Sequence, residues 1–236
     1  MRQYSVILAT ALMLVLLVSV QALAYRLVLI PTGDMLPEGM TKFEYGRVSN
    51  QSHHQPPNID WFSGYKVDSR LPGNFEVYVQ VKDQEGAKNL GTDVSVQYLV
   101  LAETKEVPNL SVGVWNINNE GVTSRLTGGS IRKARSPWVG ASKGIPLPKL
   151  IKRTTRFHLG VGAQSLSGIW GGVTIFTSPF ASIALEYDPK GIRLPNAGPN
   201  TAAFGYNWSP HFRTKYANLG GDHAFGVVYT DWFGKR

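Results

Sequence analysis

The chain contains no cysteine. Disulfides, thiolate nucleophiles, cysteine-held zinc and iron–sulfur clusters are therefore excluded, as is a lipid anchor on a cysteine behind a leader. Charge is also scarce, at 17% of 236 residues against about 25% in an average soluble protein. After Ala24 no window sustains a helical period, so helical folds are disfavoured. Disorder is disfavoured too, because 10 Tyr, 10 Phe and 6 Trp accompany many β-branched residues. The sequence has no phosphate-binding glycine loop of the Walker type, no His-Glu-x-x-His and no Gly-x-Ser-x-Gly elbow. Gly160-Val161-Gly162 lies in a strand-like run with no helix after it, so it is no dinucleotide fingerprint. No cofactor and no enzymatic activity are expected.

What is present begins with an address. Arg2 is followed by an apolar run from Val6 to Val20 and by Ala22-Leu23-Ala24, a small-x-small cleavage site. The run is shorter than the ~20 residues of a spanning helix. The pattern predicts a signal peptide over 1–24, removed to leave a single domain over 25–236.

The remainder alternates with period two. Phe75, Val77, Val79 and Val81 oppose Glu76, Tyr78, Gln80 and Lys82. The same pattern recurs around Val94–Val100, Leu110–Val114, Phe157–Val161, Ile183–Tyr187, Phe212–Tyr216 and Phe225–Tyr229. Turn signals separate the runs: Pro72-Gly73, Glu85-Gly86, Ser178-Pro179, Pro189-Lys190-Gly191, Ser209-Pro210 and Gly220-Gly221. The runs suit membrane strands of about 9–11 residues better than the globular average of about 5–6.

Two architectures share such a pattern. In a soluble sandwich the apolar faces meet in a core. In a membrane barrel they meet lipid, and the polar faces line a lumen. Small residues on the polar faces (Gly160, Gly162, Ala184, Gly226) leave room for long charged ones. Aromatics near run ends (Trp170, Phe176, Tyr187, Trp208, Phe212, Tyr229, Trp232, Phe233) suit interfacial girdles. The expected fold is all-β: an antiparallel up-and-down transmembrane β-barrel of about 10–12 strands in the outer membrane. The alternative is a secreted or periplasmic β-sandwich that binds a glycan or a protein. A small outer-membrane hydrolase is a third reading, against which stands the lack of a Ser/His/Asp or paired-acid constellation at strand ends.

Several segments resemble a known family. Ile30-Pro31-Thr32-Gly33-Asp34-Met35-Leu36-Pro37-Glu38-Gly39, leading into Lys42–Gly46, resembles a mature N-terminus common in outer-membrane proteins. Pro137–Lys143, Arg156–Gly162, Ile169–Val173, Leu185–Asp188 and Phe225–Tyr229 follow in the order seen in the YjbH-type outer-membrane barrel family. The resemblance covers about 120 residues, roughly 111 to 233, plus the opening. It implies a porin-like barrel linked to production or export of extracellular polysaccharide. The chain departs from the family in its short length, its missing lipoprotein cysteine and the Pro189-Lys190-Gly191 insertion.

Charge is concentrated in one stretch. Residues 125–156 hold Arg125, Arg132, Lys133, Arg135, Lys143, Lys149, Lys152, Arg153 and Arg156 and no acid. The first eight are candidates for binding a polyanion, either lipopolysaccharide phosphate or an acidic polysaccharide. Membrane lipid and the barrel-assembly machinery are expected partners, and nucleic acid is not. If alternation holds, Arg156, His158, Glu186, Asp188, Arg213 and Lys215 share the inward face and form a lumenal polar network. His53-His54 near Asp60 point to opposite sides of an extended segment, so no metal site is expected there. Gly144–Arg153 and Gly191–Asn200 read as long extracellular loops.

Overall fold

The alternating runs become the wall of a closed antiparallel barrel. The computed structural model describes residues 31–49, 61–84, 91–119, 122–123, 130–131, 135–147, 151–188, 199–219 and 222–232. The wall consists of β1 (Met40–Ser49), β2 (Trp61–Leu71), β3 (Phe75–Gln84), β4 (Gly91–Leu101), β5 (Asn109–Trp115), β8 (Ser136–Leu147), β9 (Ile151–Gly162), β10 (Gly168–Phe176), β11 (Ala181–Tyr187), β12 (Asn200–Asn207), β13 (Phe212–Leu219) and β14 (Asp222–Trp232). A separate hairpin, β6 (Val122–Thr123) with β7 (Ser130–Ile131), stands between β5 and β8. Each wall strand pairs with the next, and β14 returns to β1 in register from Met40↔Trp232 to Ser49↔His223. Closure leaves no edge. That is the condition for a sheet in hydrocarbon, where an unpaired backbone group costs several kcal/mol.

The polarity of the wall is inverted relative to a soluble protein. Leu159, Val161 and Ile169 face outward at 60%, 50% and 65% exposure, among many exposed apolar side chains. Facing inward and buried are Lys42, Asp68, Glu76, Asp93, Gln97, Ser111, His158 and Glu186. Exposing such an apolar surface to water would cost roughly 25 cal/mol per Å², and lipid removes that cost. This inversion decides between the two architectures. A sandwich would place Val79, Val112 and Leu185 in its core, whereas here they cover the outside. The chain is an outer-membrane β-barrel.

The two ends differ. At the end where β1 starts and β14 stops, connections span 72–74, 102–108, 148–150, 177–180 and 208–211, three to seven residues each. At the other end the connection 116–135 is twenty residues long and 188–199 is twelve. Short turns lie on the periplasmic side of bacterial barrels and long loops outside, so the termini end is periplasmic. This corrects one expectation. Gly144–Leu147 lies in β8 and Ile151–Arg153 in β9, both at the periplasmic end, while 148–150 lie outside the described residues. Lys and Pro there suggested a loop. However, Pro146 is accommodated in the strand by a register shift at Pro146/Leu147.

Two of the supposed girdle aromatics are also corrected. Trp170 and Phe176 are buried inside the barrel, whereas Tyr187, Trp208, Phe212 and Tyr229 are exposed. Trp232 is 42% exposed, and Phe233 lies outside the described residues. Trp170, Trp138 and Leu166 form a lumenal apolar cluster. Gly160 makes it fit: a Cβ there would sit 2.5 Å from the Trp170 indole. Some inward glycines thus make room for tryptophan.

Candidate functional site

Barrels of eight strands are filled by their own side chains, and those of 16–18 strands keep an aqueous channel. Twelve strands leave intermediate room, and here residues 31–39 run inside it. The segment precedes β1 and turns back into the lumen at its periplasmic end, where Gly39 N–H donates to the Arg70 carbonyl at 3.3 Å. Leu36 N–H donates to Glu76 Oε2 at 2.6 Å. Gln97 Nε2 donates to the carbonyls of Asp34 (2.9 Å) and Thr32 (3.0 Å). Ser111 Oγ donates to the Gly33 carbonyl at 2.8 Å, and Trp170 Nε1 to that of Pro31 at 3.2 Å. Tyr78 orients Gln97 by donating to its Oε1. The approach at Gly33 is so close that a Cβ would lie 2.7 Å from the Ser142 nitrogen. Thr32, Asp34, Met35 and Leu36 are all buried.

Asp34 anchors this segment. Its carboxylate accepts from Nε and Nη2 of Arg156 on β9 and from Nδ2 of Asn109 at 2.9 Å. Glu103, from the β4–β5 connection, holds the same Arg156 Nη2 at 2.7 Å. His158, two residues along β9 on the same face, contacts Ser142 Oγ through Nδ1 at 2.8 Å, with Asp34 Oδ2 3.8 Å from that same nitrogen. Ser, His and Asp therefore meet, but not as a hydrolytic triad. A triad needs serine on one ring nitrogen and the acid on the other, and here both approach Nδ1. Among the described residues the buried Nε2 atom has no hydrogen-bond partner.

A second charged group lies on β1, β2 and β13. Lys42 Nζ is 2.5 Å from Asp68 Oδ2 and 3.5 Å from Glu44 Oε2, and Lys66 is 3.0 Å from Asp68. Lys215 reaches Glu44 Oε1 at 2.7 Å. To do so it crosses β14 at Gly226, its cross-strand partner, which stands opposite Gly46 of β1. Arg213 likewise passes over Gly205 of β12 to donate to Ser182 Oγ of β11 at 2.7 Å. Three lysines (Lys42, Lys66, Lys215) thus gather around two carboxylates (Glu44, Asp68), with Arg213 two residues from Lys215 on β13. Lys42 and Lys215 fall in the periplasmic half of their strands.

The six residues expected in the lumen are placed as follows. Arg156 and His158 join Asp34, Lys215 joins Glu44, Arg213 joins Ser182, and Glu186 and Asp188 are buried on or just beyond β11. Alternation located these side chains, but the partners of Arg156 and Lys215 come from outside the six. The same rule applied to Lys42-Phe43-Glu44 and Lys66-Val67-Asp68 would have found the second cluster. Asp34 carries no periodic signal.

Of the eight candidate polyanion residues, Arg125, Arg132, Lys133 and Lys149 lie outside the described residues. Lys152 and Arg153 belong to β9. Arg135 is exposed. Lys143 donates to the carbonyls of Thr104 (2.5 Å), Lys105 and Val107 (both 3.0 Å), tying the 102–108 turn to β8. His53, His54 and Asp60 also lie outside the described residues.

No family model and no curated protein matches the chain. Similar solved structures include the KdgM porin, at 12% identity and TM-score 0.48, covering 82% of this chain and 99% of that one. The NanC porin follows at 14% identity and TM-score 0.46, covering 81% and 98%. The Acinetobacter baumannii outer membrane protein Omp33 has 8% identity and TM-score 0.46, covering 83% and 98%.

Proposed function

We propose that this barrel has a transport role in the outer membrane, passing anionic saccharides during envelope or extracellular polysaccharide production. The observation that carries the reading is the cluster of Lys42, Lys66 and Lys215 around Glu44 and Asp68, with Arg213 near it on β13, on one side of a polar lumen. Three lysines share two carboxylates there, and low-dielectric walls strengthen the field of the excess positive charge on a passing anion. The YjbH-type resemblance supports the polysaccharide context. We further propose export through cleavage after Ala24, which places the new terminus six residues (25–30) before the lumenal segment. We propose as well that basic residues of the 125–156 stretch serve as contacts for lipopolysaccharide phosphate or acidic polysaccharide.

Ion selectivity in a planar bilayer tests the transport reading. Under a salt gradient the purified protein should show a reversal potential favouring chloride over potassium. Replacing Lys215 and Lys66 by Gln should move it toward potassium. Cation preference in the native protein, or no conduction by any variant, would overturn the reading.

A further inference from the structure

Asp34 is a carboxylate that the chain supplies to a site built to hold one. The groups that receive the carboxylate belong to the wall: Arg156 on β9 and Asn109 on β5, while Gln97 on β4 holds the backbone carbonyl of the same residue. The donor of the carboxylate belongs to a segment, 31–36, that is part of no strand. Wall side chains make the bonds that fix it. Arg156 remains placed without Asp34, because Glu103 holds its Nη2 at 2.7 Å. Beside it the buried Nε2 of His158 has no partner among the described residues, so the site has hydrogen-bonding capacity that Asp34 does not use. A planar guanidinium fork matches a carboxylate in both charge and shape. The adjacent Glu103 disfavours a doubly charged phosphate.

We propose that Arg156, with Asn109 and His158, forms a carboxylate-binding site in the lumen, which Asp34 occupies as an internal ligand. The carboxylate of an acidic saccharide displaces Asp34 and releases residues 31–36 from the wall. The inference rests on the transport reading for the identity of the ligand, while the latch itself rests on geometry alone. A tethered carboxylate competes at an effective concentration in the millimolar range. The entering polymer must therefore present several carboxylates, or be supplied at roughly 10 mM.

Two measurements on the full-length protein test this. The absence of cysteine lets Met35→Cys introduce a single thiol at a buried lumenal position. Its labelling by a thiol reagent should be slow. An oligosaccharide of glucuronic acid should accelerate it roughly tenfold or more, the equilibrium weight of one charge-assisted bidentate pair, and the matching neutral glucose oligomer should not. Arg156→Gln in the same background should label fast with or without sugar. In the bilayer, Asp34→Ala should conduct more than the native protein, and glucuronic acid oligomers should no longer raise its current. Equal labelling with both sugars, or equal current from Asp34→Ala and native protein, would overturn the proposal. If Asp34→Ala opens but neither sugar acts, the carboxylate competition fails while the transport reading stands. If no variant conducts, transport fails, and the labelling experiment still decides whether the latch responds to a carboxylate.

Discussion

Phe157→Lys is the substitution whose sign separates a membrane barrel from any soluble β-protein. Phe157 is the seventh of twelve residues in β9, six from Ile151 and five from Gly162, and its ring faces outward at 43% exposure. In water, replacing an exposed phenylalanine by lysine changes stability by no more than about 0.5 kcal/mol. In a barrel, mid-strand falls near the bilayer midplane, where an outward lysine costs roughly 2–4 kcal/mol. That corresponds to a loss of about 30- to 700-fold in the folded-to-unfolded ratio. The assay is urea-dependent folding into phospholipid vesicles, read by the electrophoretic shift between folded and boiled protein. The companion Val161→Lys, at the strand end, should cost about 0–1 kcal/mol. A Phe157→Lys midpoint equal to that of the native protein, or equal losses at both positions, would refute the assignment of this face to lipid.

Two other outcomes are expected. Gly160→Val should destabilise the folded barrel by about 1–3 kcal/mol through overpacking, because its Cβ would meet the Trp170 indole. Trp170 fluorescence should change with it, and an unchanged midpoint would show that the indole does not lie on Gly160. Replacing Arg132, Lys133 and Arg135 by Gln should weaken binding of lipopolysaccharide and flatten its salt dependence; unchanged binding would remove that stretch from the polyanion contacts.

The wall was legible in the sequence because period two is a local property. In β9, for instance, Phe157, Leu159 and Val161 separate from Arg156 and His158 by parity alone. Alternation cannot say which face meets water; the buried Glu76, Asp93 and Gln97 settle that only once closure is seen. The lumenal segment was not legible. Its position is set by Glu76, Gln97, Ser111 and Arg156, which lie 40 to 122 residues away from their partners in the chain. Trp170 was misplaced for a related reason. Aromatics at strand ends serve girdles and lumens alike, and the carbonyl of Pro31, 139 residues earlier, selects the inward position. Gly144–Arg153 reads as a loop because Pro and Lys are loop residues by composition, while a bulge lets β8 carry Pro146.

A closed barrel with inverted polarity can cross the outer membrane only with its apolar face in lipid. The most direct measurement is electrophoresis of the detergent-extracted outer-membrane fraction, with unheated and boiled samples run side by side. A wall with every edge paired resists detergent until boiled, so two different mobilities are expected for the same chain. A single mobility, with the protein recovered in the soluble fraction, would contradict it.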